Sequence, residues 1–296
     1  MRRAIRSLIV LGLGVLLATA ALAAPTQING IGLVDYTNKP DFKVGDWVRY
    51  RMSGKSELGV EDDYTVTVLI AGEYDFWGDP GFWVETWKDV PGQPLEVVAS
   101  MVSYEAFKDT AAVQRLQFYT RIAINTLNED GAPRLEVNKP AASTLKTRRE
   151  VKNPVRWTRD TLGVDTVSTP RGDYRALKVL LKQGTGATQS VGDSSIYQEV
   201  RENRTSYYSK DVPITHLVRE DVESSAARKA WLIGRSGDAT PLTTRDRALG
   251  VARLIDMGHG GLTARMVPAE YRYSIAEQRA RKAAKGASPS ASRPRR

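Results

Sequence analysis

The chain has 296 residues, of which 41% are hydrophobic and 26% charged, and it carries a formal net charge of +9. It contains no cysteine, which excludes thiol nucleophiles, thiolate metal sites and covalent haem attachment. The positive charge lies at the two ends of the chain, so the body from 24 to 276 is neutral. This distribution argues against a nucleic-acid-binding domain, because such a domain needs a clustered basic face.

The N-terminus has the pattern of a secretory signal peptide. Arg2, Arg3 and Arg6 precede an apolar stretch, Leu8 to Ala20, and a small-residue site that ends at Ala23. The pattern predicts a signal peptide over 1–23 and export to the periplasm of a Gram-negative bacterium or to the cell envelope. The alternative is a retained membrane anchor, but the apolar stretch is shorter than the roughly 20 residues that span a bilayer. We therefore expect no transmembrane segment in the mature protein.

After an N-terminal extension over 24–40, apolar and polar side chains alternate, as is typical of half-buried antiparallel strands. The segments DWVRYRMSG, DYTVTVLIAG, GFWVETWKD and LEVVASMVSYEAF predict four strands. The segment AVQRLQFYTRIAINTL fits a helix or a strand, and its β-branched residues favour a strand. Residues 128–160 are rich in turn residues and proline, and they predict a long connection.

Alternation resumes beyond this connection. Strands are predicted at 164–168 and 174–183 around a tight turn, and GTGATQSVGDSS predicts a flexible loop. Further strands are predicted at 196–201, 204–209 and 214–222, and then in KAWLIGRSG and LGVARLIDMG. At least ten strands with few helices indicate a single β-rich domain over 41–276, built as a sandwich or a barrel-like sheet.

The tail over 277–296 is rich in alanine, serine and proline and lacks large apolar side chains. This composition predicts a disordered basic tail. The alternative is an electrostatic contact with an anionic lipid or cell-wall surface. The residues that would make this contact are Arg279, Arg281, Lys282, Lys285, Arg293, Arg295 and Arg296.

Two groups of segments resemble a known class of proteins. The first group is KVGDWVRYRM with YTVTVLIAGEY and FWVETW, and the second is STPRGDYRALKV with TSYYSKDVPITHLVRED. From about 40 to 260 the chain resembles exported bacterial β-rich proteins that are similar to the periplasmic lipoprotein carriers of the LolA and LolB kind. The resemblance implies a mostly β fold with few short helices. It implies a curved antiparallel sheet, as a half-barrel or sandwich, around an apolar cavity for acyl chains or another apolar ligand.

The residue types that carry catalysis or bind metals are sparse. His216 shares a face of the predicted strand at 214–222 with Ile214 and Val218, which favours a buried core histidine. His259 lies among glycines and favours an ordinary turn, and two isolated histidines do not make a zinc site. We therefore predict no catalytic residue, no metal and no cofactor.

Aromatic side chains are the candidate ligand-binding residues. Packing in a β core explains many of them, but aromatic residues exposed on a loop indicate contact with a ligand, a partner or a membrane. Phe76 and Trp77 lie in a loop rich in Gly, Asp and Pro, and we expect them at the mouth of the cavity. The predicted ligand-binding residues are Trp47, Tyr50, Phe76, Trp77, Trp83 and Trp87.

The sequence thus predicts an exported, non-enzymatic envelope protein that binds an apolar ligand, a lipid or a lipoprotein acyl chain, in a β-sheet cavity. The alternative is a structural or interaction β-sandwich of the envelope that is tethered by its basic tail. A hydrolase that uses loop carboxylates is a third hypothesis.

Overall fold

The computed structural model describes residues 41–57, 59, 61–108, 119–124, 136–137, 157–191, 194–232 and 242–286. The predicted signal peptide, the extension over 24–40 and residues 287–296 lie outside these ranges. Within them, eleven strands form one curved antiparallel sheet with few short helices, which confirms the predicted fold class. The strands are β1 (Asp46–Ser56), β2 (Glu61–Phe76), β3 (Asp79–Asp89), β4 (Glu96–Ser103), β5 (Thr120–Ile124), β6 (Glu136–Val137), β7 (Trp157–Thr169), β8 (Gly172–Val191), β9 (Ser194–Tyr208), β10 (Leu217–Leu232) and β11 (Leu242–His259).

The sheet consists of two meanders that are joined through their first and last strands. Its order is β6-β5-β4-β3-β2-β1-β11-β10-β9-β8-β7, so β1 pairs with β11 and every other pair is consecutive in sequence. A contact between distant strands shows that the sheet bends. Arg171 in the β7–β8 turn lies 3.5 Å from the carboxylate of Asp256 on β11. Two strands separate β8 from β11, and since neighbouring strands lie about 4.8 Å apart, a flat sheet would hold these residues much farther from each other.

Alternation in the first strands produces two apolar faces. One face of β1 carries Val48, Tyr50 and Met52. We call this face, together with the side chains that point the same way on neighbouring strands, the inner face. The opposite, outer face carries Trp83 and Trp87 of β3. Both faces of β3 are buried, since its seven residues from 81 to 87 are all buried. The first meander is therefore covered on both sides.

The second meander has longer strands than its turn residues predict. The two strands predicted at 196–201 and 204–209 merge into the single strand β9, and residues 184–191 and 194–195 of the predicted flexible loop belong to β8 and β9. Residues 192–193 of that loop lie outside the described ranges. Residues 217–222 of the strand predicted at 214–222 and residues 229–232 of KAWLIGRSG belong to the single strand β10. Residues 214–216 precede this strand, and residues 233–237 lie outside the described ranges. Pairing on both sides explains the difference, because β9 bonds to β8 and β10 along its length and so keeps its polar residues extended.

Two boundaries also differ from prediction. Strand β6 and the start of β7 fall inside the connection predicted over 128–160. Residues 277–286 of the predicted disordered tail are helical, because helix α1 spans Ile275–Gly286. A capping box starts this helix: Ser274 N donates to Glu277 Oε2 at 2.8 Å, and Glu277 N donates to Ser274 Oγ at 3.2 Å. Of the helices in the described ranges, none has the length and apolar character needed to cross a membrane.

Candidate functional site

The inner face is covered by an irregular segment between β9 and β10. We call this segment, residues 209–216, the plug. Its apolar side chains at Val212 and Ile214 are buried, as are Thr215 and His216, whereas Lys210 is exposed. The plug belongs to the same apolar cluster as the inner-face residues of β1 to β3. Eight residues without regular structure thus cover part of the inner face.

The plug contains a strained turn. Thr215 N donates to Pro213 O at 2.7 Å around Ile214, whose φ is 70°, which defines a γ-turn of the rare positive-φ type. His216 also has a positive φ, of 53°. A β-branched residue in this region is an outlier, because its Cβ crowds the backbone. Surrounding contacts must hold this conformation in place.

One contact that holds the plug is a closed ring of hydrogen bonds with β1. The Tyr50 hydroxyl donates to Leu217 O at 2.8 Å, and Leu217 N donates to Thr215 Oγ1 at 3.1 Å. Tyr50 Oη and Thr215 Oγ1 lie 2.5 Å apart, and the Thr215 hydroxyl donates here because Tyr50 has used its single proton. Burial raises the pKa of Tyr50 far above its ordinary value, so the phenol remains a neutral donor.

The two histidines take structural positions. His216 is buried, and its Nε2 lies 2.8 Å from Asp41 Oδ2, which ties the end of the plug to the start of the described chain. This agrees with the predicted core histidine, although β10 begins only at Leu217 and His216 is not on a strand. His259 ends β11, and its Nδ1 lies 2.7 Å from Asp46 Oδ1 on β1.

The plug takes up the space that the predicted cavity would need next to β1–β4. Val48, Val68, Phe82 and Val84 have no solvent-accessible surface. Phe42 contributes to the cover, because its ring packs edge-on against Phe82 with the centroids 5.2 Å apart. In the conformation described, this part of the inner face has no room for a guest molecule while the plug is seated.

A half-buried ionic cluster lies farther along the inner face. Arg204 Nε donates to Glu202, and Arg204 Nη1 lies 3.4 Å from Glu220 Oε2. Glu220 also accepts from Ser206 Oγ at 2.9 Å. Burial lowers the pKa of Arg204, but the negative charges of Glu220 and Glu202 have the larger effect. The pKa of Arg204 therefore lies above its ordinary value. The cluster thus keeps three charges fixed next to the apolar zone.

The outer face is covered by the segment over 260–273, which a carboxylate on β3 holds. Glu85 Oε1 accepts from Arg265 N at 2.6 Å, and Glu85 Oε2 accepts from Met266 N at 3.0 Å and Val267 N at 3.1 Å. Trp87 Nε1 also donates to Glu85 Oε1 at 2.6 Å. These four hydrogen-bond donors offset the desolvation cost of the Glu85 carboxylate, whose side chain has no exposed surface. No sequence pattern indicated this role for Glu85.

The six predicted ligand-binding residues do not line one surface. Tyr50 alone of the six is on the inner face, where it bonds to the plug. Trp83 and Trp87 are buried under the segment over 260–273, and Trp47 and Phe76 pack partly buried against the same outer cluster. Trp77 is 52% exposed at the β2–β3 turn. The aromatic residues therefore divide between two faces and a hairpin tip.

Comparison with protein-family models gives no match, and no curated protein matches the chain in sequence. Among solved structures, the chain is similar to one from Parabacteroides distasonis described as a lipoprotein, with 10% identity and a TM-score of 0.33 over 76% of this chain and 99% of that chain. It is also similar to one from Bacteroides fragilis described as an exported protein with a YmcC-like fold, with 9% identity and a TM-score of 0.27 over 74% and 97%. A third is a LolA superfamily protein from Nitrosomonas europaea, with 11% identity and a TM-score of 0.25 over 78% and 93%.

The third structure belongs to the class of proteins that the sequence resembles.

Proposed function

We propose that this protein is an exported, non-enzymatic protein of the periplasm or envelope, and that it holds an apolar ligand, a lipid or a lipoprotein acyl chain, on its inner face. The observation that carries the proposal is the plug. The plug, eight irregular residues, covers part of an extensive apolar sheet face, and the rings of Phe42, Tyr104 and Phe107 cover Phe82 beside it. The ligand would enter as the plug leaves, and it would take over the same apolar surface.

The energetics of the plug suit such an exchange. Burial of Val212 and Ile214 stabilises the seated plug by about 1.5–3 kcal/mol per side chain. The positive φ angles at Ile214 and His216 cost about 1–3 kcal/mol each, and this strain is released when the plug leaves. The two terms are of similar size, so an acyl chain that covers the inner face can compete with the plug.

This proposal replaces part of the predicted site. Tyr50 remains a ligand-facing residue, because it contacts Thr215 and displacement of the plug would uncover its side chain. Trp83 and Trp87 belong to the outer cluster, so they would stabilise the sheet and would not touch the ligand.

The test uses the mature protein, residues 24–296, and an anilinonaphthalene dye that fluoresces in apolar surroundings. Thr215→Val removes the hydroxyl that bonds Tyr50 and Leu217, so it should raise dye binding, and a long-chain fatty acid should displace the dye. Thr86→Val is the matched control, because Thr86 is buried in β3 and its Oγ1 has no hydrogen-bond partner among the described residues. A second control, Glu85→Gln, loosens the outer face.

Dye binding that rises for Thr215→Val alone supports the proposal. Equal rises for Thr215→Val and Glu85→Gln would show general destabilisation and contradict it. The absence of dye binding by every variant, together with the absence of co-purifying lipid, would also contradict it.

A second candidate function is that of an envelope interaction protein held at an anionic surface. One observation favours it: helix α1 presents exposed basic side chains at Arg279, Arg281 and Lys282. Removal of residues 277–296 should release the protein from membrane fractions at low salt, where electrostatic attachment is strongest. Unchanged fractionation would count against this function.

A further inference from the structure

The tip of the β2–β3 hairpin presents a large apolar ring in an unfavourable turn position. Phe76 pairs with Asp79, and the two residues between them, Trp77 and Gly78, have φ angles of 58° and 79°. Two positive φ angles in a two-residue hairpin define a type I′ turn, which favours asparagine, aspartate or glycine at its first position. Tryptophan there costs turn stability and places 52% of its surface in solvent.

An aromatic row supports the tip. The Phe76 ring lies 3.9 Å from the Trp77 ring and 6.0 Å from the Tyr74 ring, measured between centroids. Tyr74 in turn lies 4.5 Å from Tyr271, and Tyr271 stacks on the buried Trp83 at 6.0 Å. The tip is thus anchored to the outer cluster, which holds Trp77 at the surface.

The basic helix is attached to the same end of the sheet. Ile275 N, in the first turn of α1, donates to Glu73 Oε2 at 3.1 Å, and Gln278 Nε2 donates to Glu73 O. Glu73 lies four residues before Trp77 on β2, a distance of about 13 Å along the strand. Helix α1, with 12 residues, is about 18 Å long, and its first turn is held beside β2 at Glu73.

The charges at this end are mainly positive. Helix α1 contains four basic residues against Glu277, and Arg281 packs over the Tyr273 ring at 3.5 Å. Of the nearby acids, Glu73 bonds to the helix and Asp79 is paired with Arg121 at 2.6 Å, which leaves Asp75 and Glu270 exposed. Three more arginines follow in the sequence after residue 286.

We infer that Trp77 and helix α1 form one docking surface for an anionic lipid bilayer. The indole enters the interface between headgroups and acyl chains, where tryptophan is favoured. Arg279, Arg281 and Lys282 bind the negatively charged headgroups. The inference deepens the second candidate function, the anionic-surface contact, and does not depend on the ligand site under the plug.

The test is co-sedimentation of the mature protein with vesicles of phosphatidylglycerol and phosphatidylethanolamine, compared with vesicles of phosphatidylcholine. We expect binding to the anionic vesicles, and salt should weaken it. Trp77→Asn should weaken binding about tenfold without loss of folded protein, because asparagine suits the turn. The triple change Arg279→Gln, Arg281→Gln and Lys282→Gln should weaken it about a hundredfold.

Matched control variants distinguish binding through this surface from nonspecific binding to vesicles. Leu249→Asn removes an apolar side chain that is also 52% exposed, on β11, and it should leave binding unchanged. The change of Arg245, Arg247 and Arg253 to glutamine alters net charge equally, and it should weaken binding far less. Three outcomes would overturn the inference. The two triple changes could weaken binding equally, Trp77→Asn and Leu249→Asn could weaken it equally, or the protein could bind both vesicle types equally. Because the dye experiment reports on the plug, its failure would leave this result unaffected.

Discussion

Tyr50 on β1 and Thr215 in the plug are 165 positions apart in sequence, and their hydroxyl oxygens lie 2.5 Å apart beneath the irregular cover of the sheet. The pair joins the first strand to the segment before β10, across the intervening strand β11. Because both hydroxyls are buried, neither can exchange this bond for one to water while the plug is seated.

The first prediction concerns alkaline pH. Burial raises the pKa of Tyr50 above the value of about 10 that tyrosine has in an unfolded chain. The folded state therefore keeps the Tyr50 proton after the unfolded chain has lost it. The stability present below pH 10 is lost as pH rises above that value. The free energy of unfolding should therefore fall with rising pH, and Tyr50→Phe should reduce this slope by up to about 1.4 kcal/mol per pH unit.

Urea unfolding at several values between pH 9 and 12 measures this slope. Tyr104 and Tyr271 also have pKa values raised by burial, so the variant should retain part of the slope. Parallel stability curves for Tyr50→Phe and the unaltered protein would show that Tyr50 does not contribute.

The second prediction concerns the carboxylate that holds the outer cover. Glu85→Gln replaces one acceptor oxygen with an amide that faces backbone N–H groups, and it should lower the free energy of unfolding by about 3 kcal/mol. Glu96→Gln on the next strand is the control, because its 3.8 Å contact with Lys88 is exposed and should contribute less than about 1 kcal/mol. Chemical denaturation compares them, and similar losses would refute the role given to Glu85.

The third prediction concerns a glycine under the same cover. A Cβ on Gly72 would lie 1.9 Å from the backbone oxygen of Tyr271, so Gly72→Ala must push the segment over 260–273 away from β2. We expect a loss of at least about 2 kcal/mol. Gly184→Ala should be neutral or slightly stabilising, since its Cβ would meet only the Arg201 side chain at 4.0 Å. Thermal unfolding of both variants tests the contrast, and equal shifts would contradict it.

The fourth prediction concerns the ionic cluster on the inner face. Arg204→Met leaves the carboxylates of Glu202 and Glu220 without their guanidinium partner, which should cost about 3–5 kcal/mol at pH 7. Arg201→Met, on the same strand, breaks only the pair with Glu199, in which Arg201 is largely exposed, and should cost less than about 1 kcal/mol. Denaturant titration measures both. A small loss for Arg204→Met would mean that the cluster contributes little to the fold.

Polar residues inside β9 show where the sequence pattern was insufficient to predict the length of a strand. Glu202 and Asn203 interrupt the apolar alternation, yet both lie inside β9, because β8 and β10 satisfy the backbone on either side. The tail is a different case, where low apolar content predicts disorder for residues 277–286 but the structure has a helix. The motif Ser-Ile-Ala-Glu at residues 274–277 is a capping box and indicates a helix start, so this boundary was readable from the sequence.

The sequence alone determined that the protein is mostly β, because alternation with a period of two is a local property of each strand. It also indicated that His216 is a core residue and that Trp77 stands on a turn. Only the tertiary structure decided that Tyr50 and Trp83 face opposite covers and that the plug fills the inner face beside β1–β4. The physical reason is that a cover is a contact between distant segments, and its energy depends on which surfaces meet, which no local pattern records.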